Sequence, residues 1–175
     1  MKAKMNIQKT VIAAMFAALT CVATMLIKVP VPATNGYLNL GDGIVILSGW
    51  MLGGIYGTAA AGIGSMLADI LLAYPVYAPG TLVIKAVCAL IAFLVYKTLS
   101  GKSHSFVIRI VSATLAEVCM VVGYFIYESL FLGYGLGAAL SIVPNMIQGA
   151  GGIIISVAVM ELIKNNRYAK KIEKL

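Results

Sequence analysis

Charge is the scarcest ingredient of this chain. Only 11% of its 175 residues are Asp, Glu, Lys or Arg, where a soluble domain carries about 25%. So few charges cannot cover a water-exposed surface, which excludes a soluble enzyme and a disordered chain. Cysteine is scarce too. Cys21, Cys88 and Cys119 each lie inside an apolar run, with no CxxC spacing and no neighbouring His. They read as small buried hydrophobes, not as a disulfide scaffold. His104 is the only histidine, and a lone His builds no metal site. No metal or cofactor is expected. Motifs of chemistry are missing as well. Without GxxxxGK[ST] the chain itself hydrolyses no ATP. Without HExxH, GxSxG or a catalytic Asp pair, no catalytic residues are assigned. The stretch Gly133–Gly137 (GYGLG) has no strand before it, so it is not a dinucleotide loop.

What is present is hydrophobic length. Apolar types make up 61% of the residues, and they gather into runs at about 10–27, 43–73, 80–97, 106–132 and 139–163. This is the pattern of an integral membrane protein. The first run follows Lys2, Lys4 and Lys9, is longer than a signal-peptide core and meets no Ala-x-Ala site. It reads as a retained span. The second run would be about 46 Å long as one helix, against a hydrocarbon core of about 30 Å. Gly53, Gly54 and Gly57 interrupt it, so it is either one tilted helix or two short ones.

Charge placement decides between them. The net charge of +7 sits in clusters between apolar runs, the mark of membrane topology and not of nucleic-acid binding. With Lys2, Lys4 and Lys9 in the cytoplasm, two spans put Lys97, Lys102, Arg109, Lys164, Arg167, Lys170, Lys171 and Lys174 there too. One span would put all eight outside. The positive-inside rule selects two spans. The expectation is a single all-α membrane domain over 1–175 with six spans: about 10–27, 43–54, 56–73, 80–97, 106–132 and 139–163. Both termini are cytoplasmic, and only Lys28 falls in an external loop. Tyr56 and Tyr96 fall near the cytoplasmic interface, and Tyr37, Tyr74, Tyr77 and Tyr134 near the external one. External loop one, about Val29 to Gly41, is kept from helix by Pro30 and Pro32 and carries an Asn35-Gly36 turn signal. It is the natural lid.

Charged groups inside hydrocarbon are costly and ask for a reason. Asp69, Lys85, Glu128, Asn145 and Gln148 come from four spans, yet each lies one to two turns from the external end. Glu117 is deeper. Glu117, Val121, Tyr124 and Glu128 follow i, i+4, i+7, i+11 and line one helix stripe. Asn145 and Gln148 share a face, followed by Gly149, Gly151 and Gly152, where a ligand or a neighbouring backbone can approach. The common depth points to a polar pocket open to the outside, walled by spans three to six and covered by loop one. Plainer readings stay open: Asp69 and Lys85 pair only with each other, and Asn145 and Gln148 only join helices. Small residues form a second pattern, Ala13-x-x-x-Ala17 and Ala14-x-x-x-Ala18 on span one, which permits close helix approach.

Three segments carry a resemblance: Gly36-Tyr37-Leu38-Asn39-Leu40-Gly41-Asp42, Gly62-Ile63-Gly64-Ser65-Met66-Leu67-Ala68-Asp69, and Tyr77-Ala78-Pro79-Gly80-Thr81-Leu82-Val83-Ile84-Lys85. With six spans and a basic tail, the chain resembles the substrate-binding S components of energy-coupling factor (ECF) vitamin transporters, in the riboflavin-type or uncharacterised branch. The resemblance implies a binding subunit, not an enzyme, in the cell membrane of a prokaryote. It implies a small vitamin ligand with a heteroaromatic ring, of the riboflavin, pyridoxine or hydroxymethylpyrimidine class. It implies partners as well: a transmembrane T component and two ATPase subunits, docked through an alanine motif matched by Ala13 and Ala17 or by Ala14 and Ala18. The subunit is expected to topple in the bilayer to release its load. Tyr74, Tyr77 and Tyr124 are candidates to stack on the ring. Asn39, Asp69, Lys85, Glu128, Asn145 and Gln148 are candidates to read its polar edge. Two other readings compete: a structural or assembly subunit with no ligand, and an intramembrane enzyme using Glu117 or Glu128 as acid or base.

Overall fold

A computed structural model describes residues 7–31, 36–100 and 105–166. Lys2, Lys4, Pro32, Asn35, Lys102, His104 and the basic tail from Arg167 lie outside the described residues. The elements in chain order are α1 (Ile7–Leu26), β1 (Lys28–Val31), β2 (Gly36–Asn39), α2 (Asp42–Leu52), α3 (Gly54–Leu71), α4 (Ala78–Leu99), α5 (Ser105–Ile126) and α6 (Ile142–Ile163). A π-helical turn, Tyr127–Phe131, extends α5, and a 3-10 helix, Gly135–Ser141, leads into α6. Five of these helices are long and apolar enough to cross a membrane, while α2 has only 11 residues.

The short helix is the centre of the bundle. Ten residues of α2 are buried, and it packs against α1, α3, α4 and α6. An inner helix needs no polar face, and its sequence DGIVILSGWML is apolar nearly all round. The chain then reverses at Gly53, whose φ of 62° is the left-handed region that favours glycine. That reversal divides the long second apolar run into α2 and α3. Around it, α3 packs on α1 and α4, α4 on α5, and α5 on α6. Helices approach closely where side chains are absent. A methyl group at Gly49 would lie 2.3 Å from the carbonyl oxygen of Ala89 in α4, and one at Gly64 would lie 2.4 Å from that of Ala17 in α1. Such backbone approach is how helices gain packing where lipid supplies no hydrophobic drive.

The segment expected as external loop one is non-helical, as its prolines implied. Its described residues, Lys28–Val31 and Gly36–Asn39, pair as the antiparallel strands of a hairpin in the register Lys28↔Asn39, Val29↔Leu38, Pro30↔Tyr37 and Val31↔Gly36. A proline is tolerated there because a two-stranded ladder has only edges. Arg109, counted above among the charges of the cytoplasmic side, is buried in α5. Its Nη1 donates to Glu161 Oε1 at 2.6 Å and its guanidinium lies 5.7 Å from the Tyr96 ring centre.

Because α2 and α4 touch backbone to backbone, Gly49→Val should destabilise the protein by about 1–3 kcal/mol through overpacking. Gly137, whose added methyl would meet open space, should accept Ala with little change. Thermal unfolding in detergent separates the two; equal melting temperatures would contradict this packing.

Candidate functional site

The first turn of α2 lies beneath the hairpin and carries Asp42 into the bundle, where it is 1% exposed. One of its oxygens, Oδ1, forms an ion pair with Lys85 Nζ of α4. The other accepts from Gln148 Nε2 of α6 at 2.6 Å. Gln148 Oε1 in turn accepts the backbone N–H of Asn39 in β2 at 2.8 Å, and Asn39 Oδ1 accepts the N–H of Gly41 at 2.8 Å. One carboxylate thus joins α2, α4, α6 and the hairpin. Lys85 also lies 5.3 Å from the ring centre of Tyr124, within cation–π range. The open reading in which Asp69 pairs with Lys85 is therefore overturned.

Asp69 has a different partner. The Tyr37 hydroxyl donates to its Oδ1 at 2.6 Å. Burial, reinforced by the Asp69 carboxylate, pushes the Tyr37 hydroxyl far above the ordinary phenol value, so it remains a donor at any physiological pH. On α4 and the π-helical turn, Tyr77 donates to Glu128 Oε1 at 3.2 Å. The hydroxyls of Thr81 and Tyr124 share a hydrogen bond of 3.0 Å. Single π-helical turns inside α-helices often mark functional sites; this one carries the buried Glu128.

These groups surround one cleft between the hairpin and α3, α4, α5 and α6. Of the nine residues expected to bind substrate, Asn39, Asp69, Tyr77, Lys85, Tyr124, Glu128, Asn145 and Gln148 all line it. Tyr74 does not. Its ring packs on Tyr37 with centroids 4.8 Å apart, and Lys28 Nζ lies 4.9 Å from its own centre, so it braces the lid from behind. The cleft spans about 530 Å³ of non-atom space, open solvent included. Thr24, Tyr37, Ser65, Thr81 and Ser141 also line it and were not singled out from sequence.

Glu117 sits one layer deeper. Its carboxylate oxygens lie about where methyl groups on Gly149 and Gly152 would crowd them, at 3.1 and 2.9 Å, and Asp42 Cβ is 2.8 Å from that Gly152 position. These two α6 glycines therefore make room for acidic side chains of neighbouring helices. Gly151 faces Leu40. On α1, Ala13 and Ala17 are half-buried toward the bundle, whereas Ala14 and Ala18 are exposed.

The class of protein defined by this architecture is a small helical membrane bundle with an acid-rich cleft under a hairpin. A family model described as "ECF-type riboflavin transporter, S component" matches residues 4–165. An uncharacterised protein of Pyrococcus woesei is 34% identical over 143 residues, covering 82% of this chain and 93% of the relative. A solved structure of the S component of a bacterial ECF transporter aligns with a TM-score of 0.71 at 22% identity, covering 90% of this chain and 96% of that one. The chain belongs to the ECF-type riboflavin transporter S component family. It is a transport binding subunit of a membrane complex and not an enzyme, which removes the reading of Glu117 or Glu128 as an acid–base catalyst.

Removing one partner of a buried ion pair leaves an uncompensated charge, at about 3–5 kcal/mol. Lys85→Met should accordingly lower the melting temperature sharply, and adding Asp42→Asn to it should restore most of the loss. A double variant no more stable than the single one would contradict the pairing.

Proposed function

We propose that this subunit captures a small vitamin or vitamin precursor with a heteroaromatic ring, of the riboflavin, pyridoxine or hydroxymethylpyrimidine class. It does so from the outer face of a prokaryotic cell membrane and passes the ligand to a T component driven by two ATPase subunits. The observation that carries this reading is the convergence of side chains from the hairpin and five helices, α1 and α3 to α6, on one cleft. Ligand sites combine apolar and aromatic walls with a few placed polar groups. Here Tyr77 and Tyr124 supply ring surface, and Asn39, Asp69, Lys85, Glu128, Asn145 and Gln148 supply polar contacts. The hairpin is the lid. A backbone hydrogen bond from Asn39 to Gln148 fastens it to α6, and Tyr37 to Asp69 fastens it to α3, so entry of a ligand requires these contacts to give way.

The topology in this reading keeps both termini cytoplasmic. Lys9, Lys97 and Lys164 then share one side and the cleft faces the other, as the positive-inside rule favours. Docking to the T component uses the outer face of α1. Val11, Ala14, Ala18 and Val22 fall on one exposed stripe, and their small size allows a partner helix to approach. Ala13 and Ala17 turn inward, and the Ala17 backbone is already in contact with Gly64. The Ala14–Ala18 register is therefore the docking register.

Binding of one vitamin of this class to the purified subunit, at one to one and without turnover, tests the proposal; its absence would overturn this ligand class. Ala14→Trp or Ala18→Trp should abolish uptake and co-purification with the T component while ligand affinity stays unchanged. Persistence of uptake would exclude this stripe. Asn145→Ala should weaken ligand binding about five- to tenfold, the loss of one hydrogen bond, with an unaltered melting temperature. Wild-type affinity would remove Asn145 from the site.

A further inference from the structure

The charges of the cleft do not balance. Around it and just beneath it are four carboxyl groups, Asp42, Asp69, Glu117 and Glu128, and one ammonium, Lys85. Lys85 is committed to Asp42. Asp69 and Glu128 are 4% and 3% exposed, and among the described residues neither has an ion-pair partner. Each spends one oxygen on a tyrosine hydroxyl, Tyr37 for Asp69 and Tyr77 for Glu128. The other oxygen, Asp69 Oδ2 or Glu128 Oε2, is buried with no hydrogen-bond partner. The nearest hydroxyls are those of Thr81, against Asp69, and Ser141, against Glu128; Ser141 already donates to the carbonyl of Ala138, while Thr81 shares with Tyr124 a hydrogen bond in which either can donate. Ser65 Oγ, on the same wall, is likewise unpartnered. A buried carboxyl oxygen without a donor is disfavoured, and two of them lining one cleft mark where a ligand would supply donors.

We infer that the occupant is a nitrogen heterocycle bearing an amine, such as an aminomethylpyridine or an aminopyrimidine, with its amino end held between Asp69 and Glu128. This narrows the vitamin-binding reading above and rests on it. Two tyrosines, Tyr77 and Tyr124, present ring surface to such a ligand. Phosphorylated or carboxylated forms are rejected, since they would set acceptor oxygens against two carboxyl oxygens that already lack donors.

The test is equilibrium binding to the full-length protein in detergent, with pyridoxamine, pyridoxine, hydroxymethyl-aminopyrimidine, riboflavin and pyridoxamine phosphate as probes. Pyridoxamine and pyridoxine differ only by an amine in place of a hydroxyl. The expected result is that an amine-bearing single ring binds at least about tenfold more tightly than pyridoxine, as charge-assisted hydrogen bonds require, and that pyridoxamine phosphate binds far more weakly. Asp69→Asn and Glu128→Gln, checked for an intact melting curve, should each bring the ratio of pyridoxamine to pyridoxine affinity close to one. Tight binding of riboflavin or pyridoxine with no preference for an amine would overturn this inference and leave vitamin capture standing. Failure of every probe to bind would overturn both. The wild-type comparison decides the matter even where a variant does not fold.

Discussion

One buried carboxylate organises the functional half of this molecule. Asp42 accepts from Lys85 of α4 and Gln148 of α6, and Gln148 reaches the backbone of Asn39 in the hairpin. An isolated charge in such a place is prohibitive, whereas a paired and hydrogen-bonded one is tolerated and fixes geometry. The consequence is a rigid floor made from three helices, with the lid attached to the same network. Any movement of the lid is felt at Gln148, and any change at Asp42 is felt at the lid.

The brevity of α2 makes this possible. Eleven residues reach only about 16 Å, so a helix reversing at Gly53 begins well inside the bundle. Its first residue is thus carried away from solvent. Glycines at contact points let the surrounding helices close around it, and the acidic side chains of Asp42 and Glu117 occupy the space left at Gly149 and Gly152. The opposite end of the bundle is built differently. There Trp50 donates to Ser112 at 3.0 Å and Arg109 forms an ion pair with Glu161, while Arg109 Nε is buried without an acceptor.

The membrane class and the helical bundle were legible because hydrophobic run length and charge clustering are strong, local signals. The polar cleft was legible because Asp69, Lys85, Glu128, Asn145 and Gln148 are conspicuous inside apolar sequence, and helical period places them at one depth. Asp42 was not. At the junction of a loop and a helix it looks like an ordinary acidic first-turn residue, and only the inward placement of α2 reveals its burial. Tyr37 was read as part of an interfacial belt, because the hairpin that turns it onto Asp69 pairs residues across a proline-containing loop. Thr24, Ser65, Thr81 and Ser141 are common in spans, where small hydroxyls ordinarily bond their own helix backbone. Arg109 misled for the opposite reason: its position near a helix end reads as solvated, and its partner lies 52 residues away.

The central claim is that the cleft beneath the hairpin is a receptor for one small polar ring. Native mass spectrometry of the detergent-extracted protein addresses it most directly. The account predicts a single adduct of one nitrogen heterocycle per chain, released on unfolding and excluded when the cleft is filled by Thr81→Trp. Adducts of lipid and detergent alone, even after incubation with vitamins in excess, would contradict it.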